Sequence, residues 1–155
     1  MTLIIQKVTE LPVDALTEIL LESSNNGFNA LRRLITDWNA GTNRFDLPGE
    51  ALFLAQCHDR YIGTCGLNLD PYAQSATVGR IRRLYVLTDY RRRGVGRALV
   101  KQVIAEAEIS FEWLHLRTDS LIGDLFYRSL KFTPDTTQKT ATHTLHLPTN
   151  NSDDR

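Results

Sequence analysis

At residues 90–99, YRRRGVGRAL, three arginines run directly into two glycines spaced one residue apart. Arg91, Arg92, Arg93 and Arg97 bring fixed positive charge, while Gly94 and Gly96 bring backbone with no side chain over it. The first amides of a helix have no partners inside the helix and carry the positive end of its dipole, so a helix opening here presents N–H groups to an anion. The glycines let phosphate oxygens approach those amides, with Val95 between them, and the arginines supply countercharge around the rim. A compact polyanion, most naturally a pyrophosphate, is the expected occupant. The competing reading is a plain strand-to-helix turn beside a solvated arginine face. A Walker-type loop is excluded, because no Lys-Ser or Lys-Thr follows the glycines, and the fingerprint GxGxxG fails at Leu99.

Such a turn needs a strand before it and a helix after it, and the pattern supplies both. ATVGRIRRLYV, residues 76–86, reads as a long strand, and Leu99, Val100, Val103, Ile104 and Ala107 recur with helical period to about Ser110. Upstream, residues 3–8 predict a first strand, residues 12–23 a helix started by Pro12, and residues 28–40 a second helix ended by Gly41. ALFLAQC and YIGTCGLNL around HDR predict an antiparallel hairpin. Downstream, WLHLRT reads as a strand. SLIGDLFYRSL reads as a helix with Ile122, Leu125, Phe126 and Leu130 inward and Asp119 or Ser120 at its N-cap. KFTPD and ATHTLHL predict two closing strands. The whole is an α/β (α+β) arrangement in one domain over residues 1–148, with 149–155 as a flexible tail.

Composition narrows the function. A chain of 155 residues, 42% hydrophobic, buries one core. Lys+Arg and Asp+Glu are equal at 18 each, which argues against a surface built wholly for nucleic acid or anionic membrane. Yet residues 80–97 hold seven arginines against the single acid Asp89, so positive charge is focused on one place. A nucleic-acid binder would spread that charge along a face and interleave exposed aromatics. Neither a leader peptide nor an apolar run near the ~20 residues of a membrane span is present, which points to the cytoplasm. Cys57 and Cys65 flank the hairpin turn as two free thiols. The paired spacing of a metal site is absent, and no metal is expected.

The segment RRLYVLTDYRRRGVGRALVKQVIAEA resembles the acyl-CoA-binding core of the GCN5-related N-acetyltransferases (GNAT superfamily), in which R/Q-x-x-G-x-G/A cradles the coenzyme A pyrophosphate. About thirty residues later DLFYRSLKF is similar to the family's xxFYexLGF, whose tyrosine lies beside the coenzyme sulfur. Three departures stand out: Lys131 replaces the glycine before Phe132, Ser120 stands where an asparagine often contacts the coenzyme, and Arg80 occupies the position of the glutamate base of histone-type members.

The resemblance implies a mixed sheet of six to seven strands flanked by four helices and splayed between the fourth and fifth strands. It implies direct transfer of an acetyl group from acetyl-CoA to an amine, with Leu84, Tyr85 and Val86 pairing to pantetheine along a bulged strand. It makes Tyr127 the acid that protonates the departing thiolate, and Arg91, Arg92, Arg93, Gly94, Val95, Gly96, Arg97 and Ser120 the coenzyme contacts. A non-catalytic acyl-CoA sensor would keep the glycine turn and dispense with Tyr127. The base is open among Asp70, Asp89, Glu50, His115 and His143. Arg80 and Arg82 are expected near the acceptor entrance, holding a carboxylate or paired with the protein's own acids. The partners are acetyl-CoA and an amine acceptor, without nucleic acid or membrane, in a monomer or homodimer.

Overall fold

Two strands that are apolar on both faces set the middle of the molecule. β2 (Ala51–Cys57) and β3 (Arg60–Leu69) bury nearly every residue, as strands covered on both sides must. His58 and Asp59 join them at positive φ, 50° and 64°, the left-handed geometry of a two-residue hairpin turn. This computed structural model describes residues 1–148, and the tail expected at 149–155 lies outside the described residues.

Around that hairpin stands a seven-stranded sheet in the order β1-β2-β3-β4-β5-β7-β6, with β1 (Leu3–Lys7), β4 (Val78–Val86), β5 (Trp113–Leu116), β6 (Thr133–Pro134) and β7 (His143–His146). All pairs are antiparallel except β4 with β5. α1 (Thr17–Asn25) and α2 (Ala30–Ala40) cover one face; α3 (Val95–Ser110) covers the other, with Leu99 against Gly63 and Phe111 against Gly79. The first expected helix divides in two, because residues Val13–Leu16 wind as a tighter 3-10 turn before α1. Gly41 closes α2 in the left-handed conformation, as its sequence position suggests. Cys57 and Cys65 are separate buried thiols. No helix among the described residues is long and apolar enough to cross a membrane.

α4 (Leu121–Ser129) turns a different face inward from the one its large side chains suggest. Ile122 and Leu125 are 77% and 59% exposed, whereas Tyr127 and Leu130 are buried and Phe126 packs partly against the core. The inward stripe starts at Gly123, where a Cβ would lie 2.2 Å from Thr118 Oγ1. A contact made by a missing side chain leaves no apolar signal, so hydrophobicity alone starts the stripe one residue early.

Candidate active site

β4 ends in a short turn, Thr88–Tyr90, and the chain crosses residues 91–94 to enter α3 at Val95. Gly94 stands at the helix N-cap with φ 84°, and a Cβ built there meets no heavy atom within 4 Å. The space before the first α3 amides is therefore open. Arg91 and Arg97 are anchored beside it: Arg91 Nε donates to the Val86 carbonyl at 2.9 Å, and Arg97 Nη1 donates to Ser129 Oγ at 3.2 Å. Arg91 also lies 5.2 Å over the Tyr85 ring and Arg93 5.5 Å over Tyr90. Stacking of this kind holds long cations near a rim without neutralising them.

Before the turn, the sheet comes apart. β4 and β5 pair only at Val78 with Trp113, Gly79 with Leu114 and Arg80 with His115, so residues 81–86 run on without a strand partner on that edge. On its other edge β4 carries a bulge, since Arg82 opposes Gly66 and Tyr85 opposes Thr64, leaving Arg83 and Leu84 across from Cys65. Arg83 takes φ 62°, and Thr64 Oγ1 clamps its carbonyl at 2.7 Å. The extra residue resets the alternation, so Arg80, Arg82 and Tyr85 all share the α1/α2 face. Tyr85 is tied there by its hydroxyl, which donates to Glu22 at 2.7 Å.

Tyr127 sits on the opposite face, near Cys65 of β3 and His143 of β7. It is 7% exposed, with the rings of Phe126, Phe132 and His143 at 5.0, 5.6 and 6.2 Å. Burial pushes its phenol far above the usual range, and a charge on nearby Cys65 would push it further, so the proton stays on. Ser120 is the N-cap of α4, its Oγ accepting from the Gly123 amide at 2.9 Å. Lys131 keeps the turn after α4 by adopting φ 76°, the conformation a glycine would hold without strain.

The acetyltransferase (GNAT) domain family matches residues 48–134, a span containing the fork, the glycine turn and Tyr127. This chain belongs to the GNAT family. A provisionally named acetyltransferase from Exiguobacterium sp. 255-15 is similar to it at 28% identity over 94% of each chain, with a TM-score of 0.84. A ribosomal-protein-alanine N-acetyltransferase from Brucella melitensis has the same fold at 18% identity and TM-score 0.71, over 93% of this chain and 99% of that one. A provisionally named GNAT acetyltransferase from Desulfovibrio desulfuricans does so at 16% identity and TM-score 0.71, over 95% and 100%.

In this GNAT domain the two arginines expected at the acceptor entrance part company. Arg80 is 6% exposed; its Nη2 donates to the Thr140 carbonyl at 2.7 Å, its Nη1 lies 3.6 Å from Asp70 Oδ2, and it stacks 4.8 Å over Tyr72. The protein's own groups surround that cation, the second of the two arrangements its sequence position allows. Arg83 likewise faces Asp37 at 3.7 Å, and burial, reinforced by the charge of Arg82, pushes its pKa down to about 10. Arg82 has no carboxylate within ion-pairing distance among the described residues. It lines a cavity of about 340 Å³ with Arg44, Asp46, Glu50 and Asn68.

The candidate bases separate by what already binds them. Glu50 accepts from Leu47 N, Leu69 N and Asn68 Nδ2 at 3.2, 2.8 and 3.0 Å, which ties the loop before β2 to the end of β3. His143 has both nitrogens engaged, Nε2 with Asp124 at 2.7 Å and Nδ1 with Thr142 Oγ1 at 2.8 Å. Asp89 is exposed in the turn after β4. Asp70 and His115 form a buried group with Arg80 that residue types alone do not assemble. The register that pairs Leu69 with Gly79 sets Asp70 diagonally beside Arg80.

Proposed function

We propose that this protein transfers an acetyl group from acetyl-CoA directly to the amine of an acceptor. The observation that carries the reading is the β4 edge over residues 81–86 that has no strand partner, leading straight into an open, arginine-rimmed helix start. When bound, acetyl-CoA supplies an activated thioester acyl group. Backbone groups of Leu84, Tyr85 and Val86 would pair with pantetheine as an added strand pairs with a sheet edge. The amides of Gly94, Val95, Gly96 and Arg97 would hold the pyrophosphate, with Arg91, Arg92 and Arg93 as countercharge. Ser120, which accepts at the cap through one lone pair, keeps a hydroxyl proton to donate from the far side.

Tyr127 would deliver its proton to the departing sulfur. A phenol held this high gives it only to a strong base, and the same burial creates one. Cys65 shows the effect, because desolvation drives its thiol well above the ordinary range. For the acceptor, Arg82 and Arg44 in the cavity on the α2 side favour an amine that also carries a carboxylate, which a guanidinium binds through two parallel hydrogen bonds.

A thiol-release assay with acetyl-CoA and a panel of amino acids, peptides, polyamines and aryl amines tests the reading. Turnover that depends on both partners supports it. Tight acetyl-CoA binding without turnover across the panel would make the protein an acyl-CoA sensor instead.

A further inference from the structure

Direct transfer leaves one proton without a destination, because the amine nitrogen must lose it as its bond to the acyl carbon forms. We propose that His115 is the general base and that Asp70 positions it; the inference rests on the acetyltransferase reading above. His115 stands on the last rung that joins β4 to β5, opposite Arg80, at the point where the strands part. Its alternation places it with Thr144 and Arg80 on the α1/α2 face, while Leu116 and His143, one residue along, belong to the face that carries Tyr127. Base and acid thus stand on opposite faces of the sheet at the fork.

A carboxylate stands behind the ring, its facing oxygen without a hydrogen-bond partner among the described residues. His115 Nδ1 lies 3.4 Å from Asp70 Oδ2, and Arg80 Nη1 lies 3.6 Å from the same oxygen. Asp70 is itself fixed, its other oxygen accepting from Tyr72 N at 2.9 Å and its backbone N–H donating to the Val78 carbonyl at 2.9 Å. A carboxylate facing Nδ1 favours the tautomer protonated there, which turns the lone pair of Nε2 outward. Among the described residues Nε2 has no protein partner, and 11% of the side chain remains exposed. Each rival base is engaged, exposed at a distance or behind His115.

The charged groups facing the ring are Asp70 before β4, Arg80 on β4 and Asp135 after β6. Burial, reinforced by the charge of Arg80, outweighs the two carboxylates and lowers the His115 pKa, so the imidazole is neutral and ready at pH 7. In the reaction, Nε2 takes the proton from the amine as the N–C bond forms and the C–S bond breaks. Tyr127 gives its proton to the sulfur, and solvent then carries a proton from His115 back to Tyr127.

The test uses the fastest acceptor of the panel at saturation. His115→Asn keeps a donor toward Asp70 and removes Nε2, with His115→Gln as a second variant should the first fold poorly. The wild type should lose kcat as pH falls through a value below ~6.5, because protonation removes the base. The variant should lose that acid limb and about 10²-fold in kcat, with acetyl-CoA affinity by calorimetry unchanged. Asp70→Asn should move the acid limb to lower pH, a shift that a purely structural Asp70 would not cause. Unchanged kcat and acid limb in either folded His115 variant would overturn the base while leaving the transferase reading intact. A wild type that acetylates no amine would remove both.

Discussion

Gly94 gives the sharpest quantitative test, because the protein around it says what a side chain would and would not disturb. A Cβ there touches nothing within 4 Å, so Gly94→Leu starts its side chain in open space. It does force an L-residue to hold φ 84°, at about 1–2 kcal/mol. For a chain of this length that lowers Tm by roughly 2–8 °C, and the variant should remain folded at room temperature. The same open space is where a phosphate would approach the first α3 amides. Displacing one charge-assisted hydrogen bond there costs about 1.5–3 kcal/mol, which is about 10- to 150-fold in affinity. Isothermal calorimetry with acetyl-CoA reads the affinity and thermal unfolding reads the strain. Gly94→Asn separates the two effects, because asparagine tolerates the left-handed region yet still projects into the space. It should keep most of the Tm and still lose affinity. Gly96→Ala is the control, with its Cβ in ordinary contact 3.7 Å from Phe126 and Val86 inside the helix; it should keep the Tm or raise it slightly. A folded Gly94→Leu protein that binds acetyl-CoA like the wild type would refute the phosphate cradle.

Three further expectations follow from individual contacts. Tyr127→Phe keeps the ring packed among Phe126, Phe132 and His143, so acetyl-CoA affinity should hold while single-turnover rates fall roughly 10²-fold; full single-turnover activity would remove Tyr127 from the chemistry. Arg82→Gln should raise KM about tenfold for amines bearing a carboxylate and leave their amide analogues unchanged, and a panel led by polyamines would contradict the role given to Arg82. Lys131→Gly should relieve the left-handed strain after α4, against the entropy glycine adds to the unfolded chain, for a net gain of about 0.5–1 kcal/mol; an unshifted Tm would mean the turn stores no strain.

Element types, their order and the glycine turn were legible in the sequence because they depend on neighbours within a few residues. Helical period, alternation, the glycine that ends α2 and the arginines beside Gly94 are all local signals. Pairing, handedness of packing and charge partners are not. On α4 hydrophobicity turns Ile122 and Leu125 inward with Phe126 and Leu130, whereas the close contact is made at Gly123, where hydrophobicity gives nothing to count. Arg80 looked available because its occupants, Asp70, Tyr72, Thr140 and the rung shared with His115, come from separate stretches that only the folded sheet collects. The bulge at Arg83 could not be assigned from type either, since arginine has no preference for φ 62° and is held there by Thr64 and by the sheet on one side. Sequence alone determined which backbone could meet a phosphate, a property of amides and missing side chains. Only the tertiary structure decided which charges remain unspent, because a cation buried against a carboxylate and one open to a ligand are the same residue until the chain closes around them.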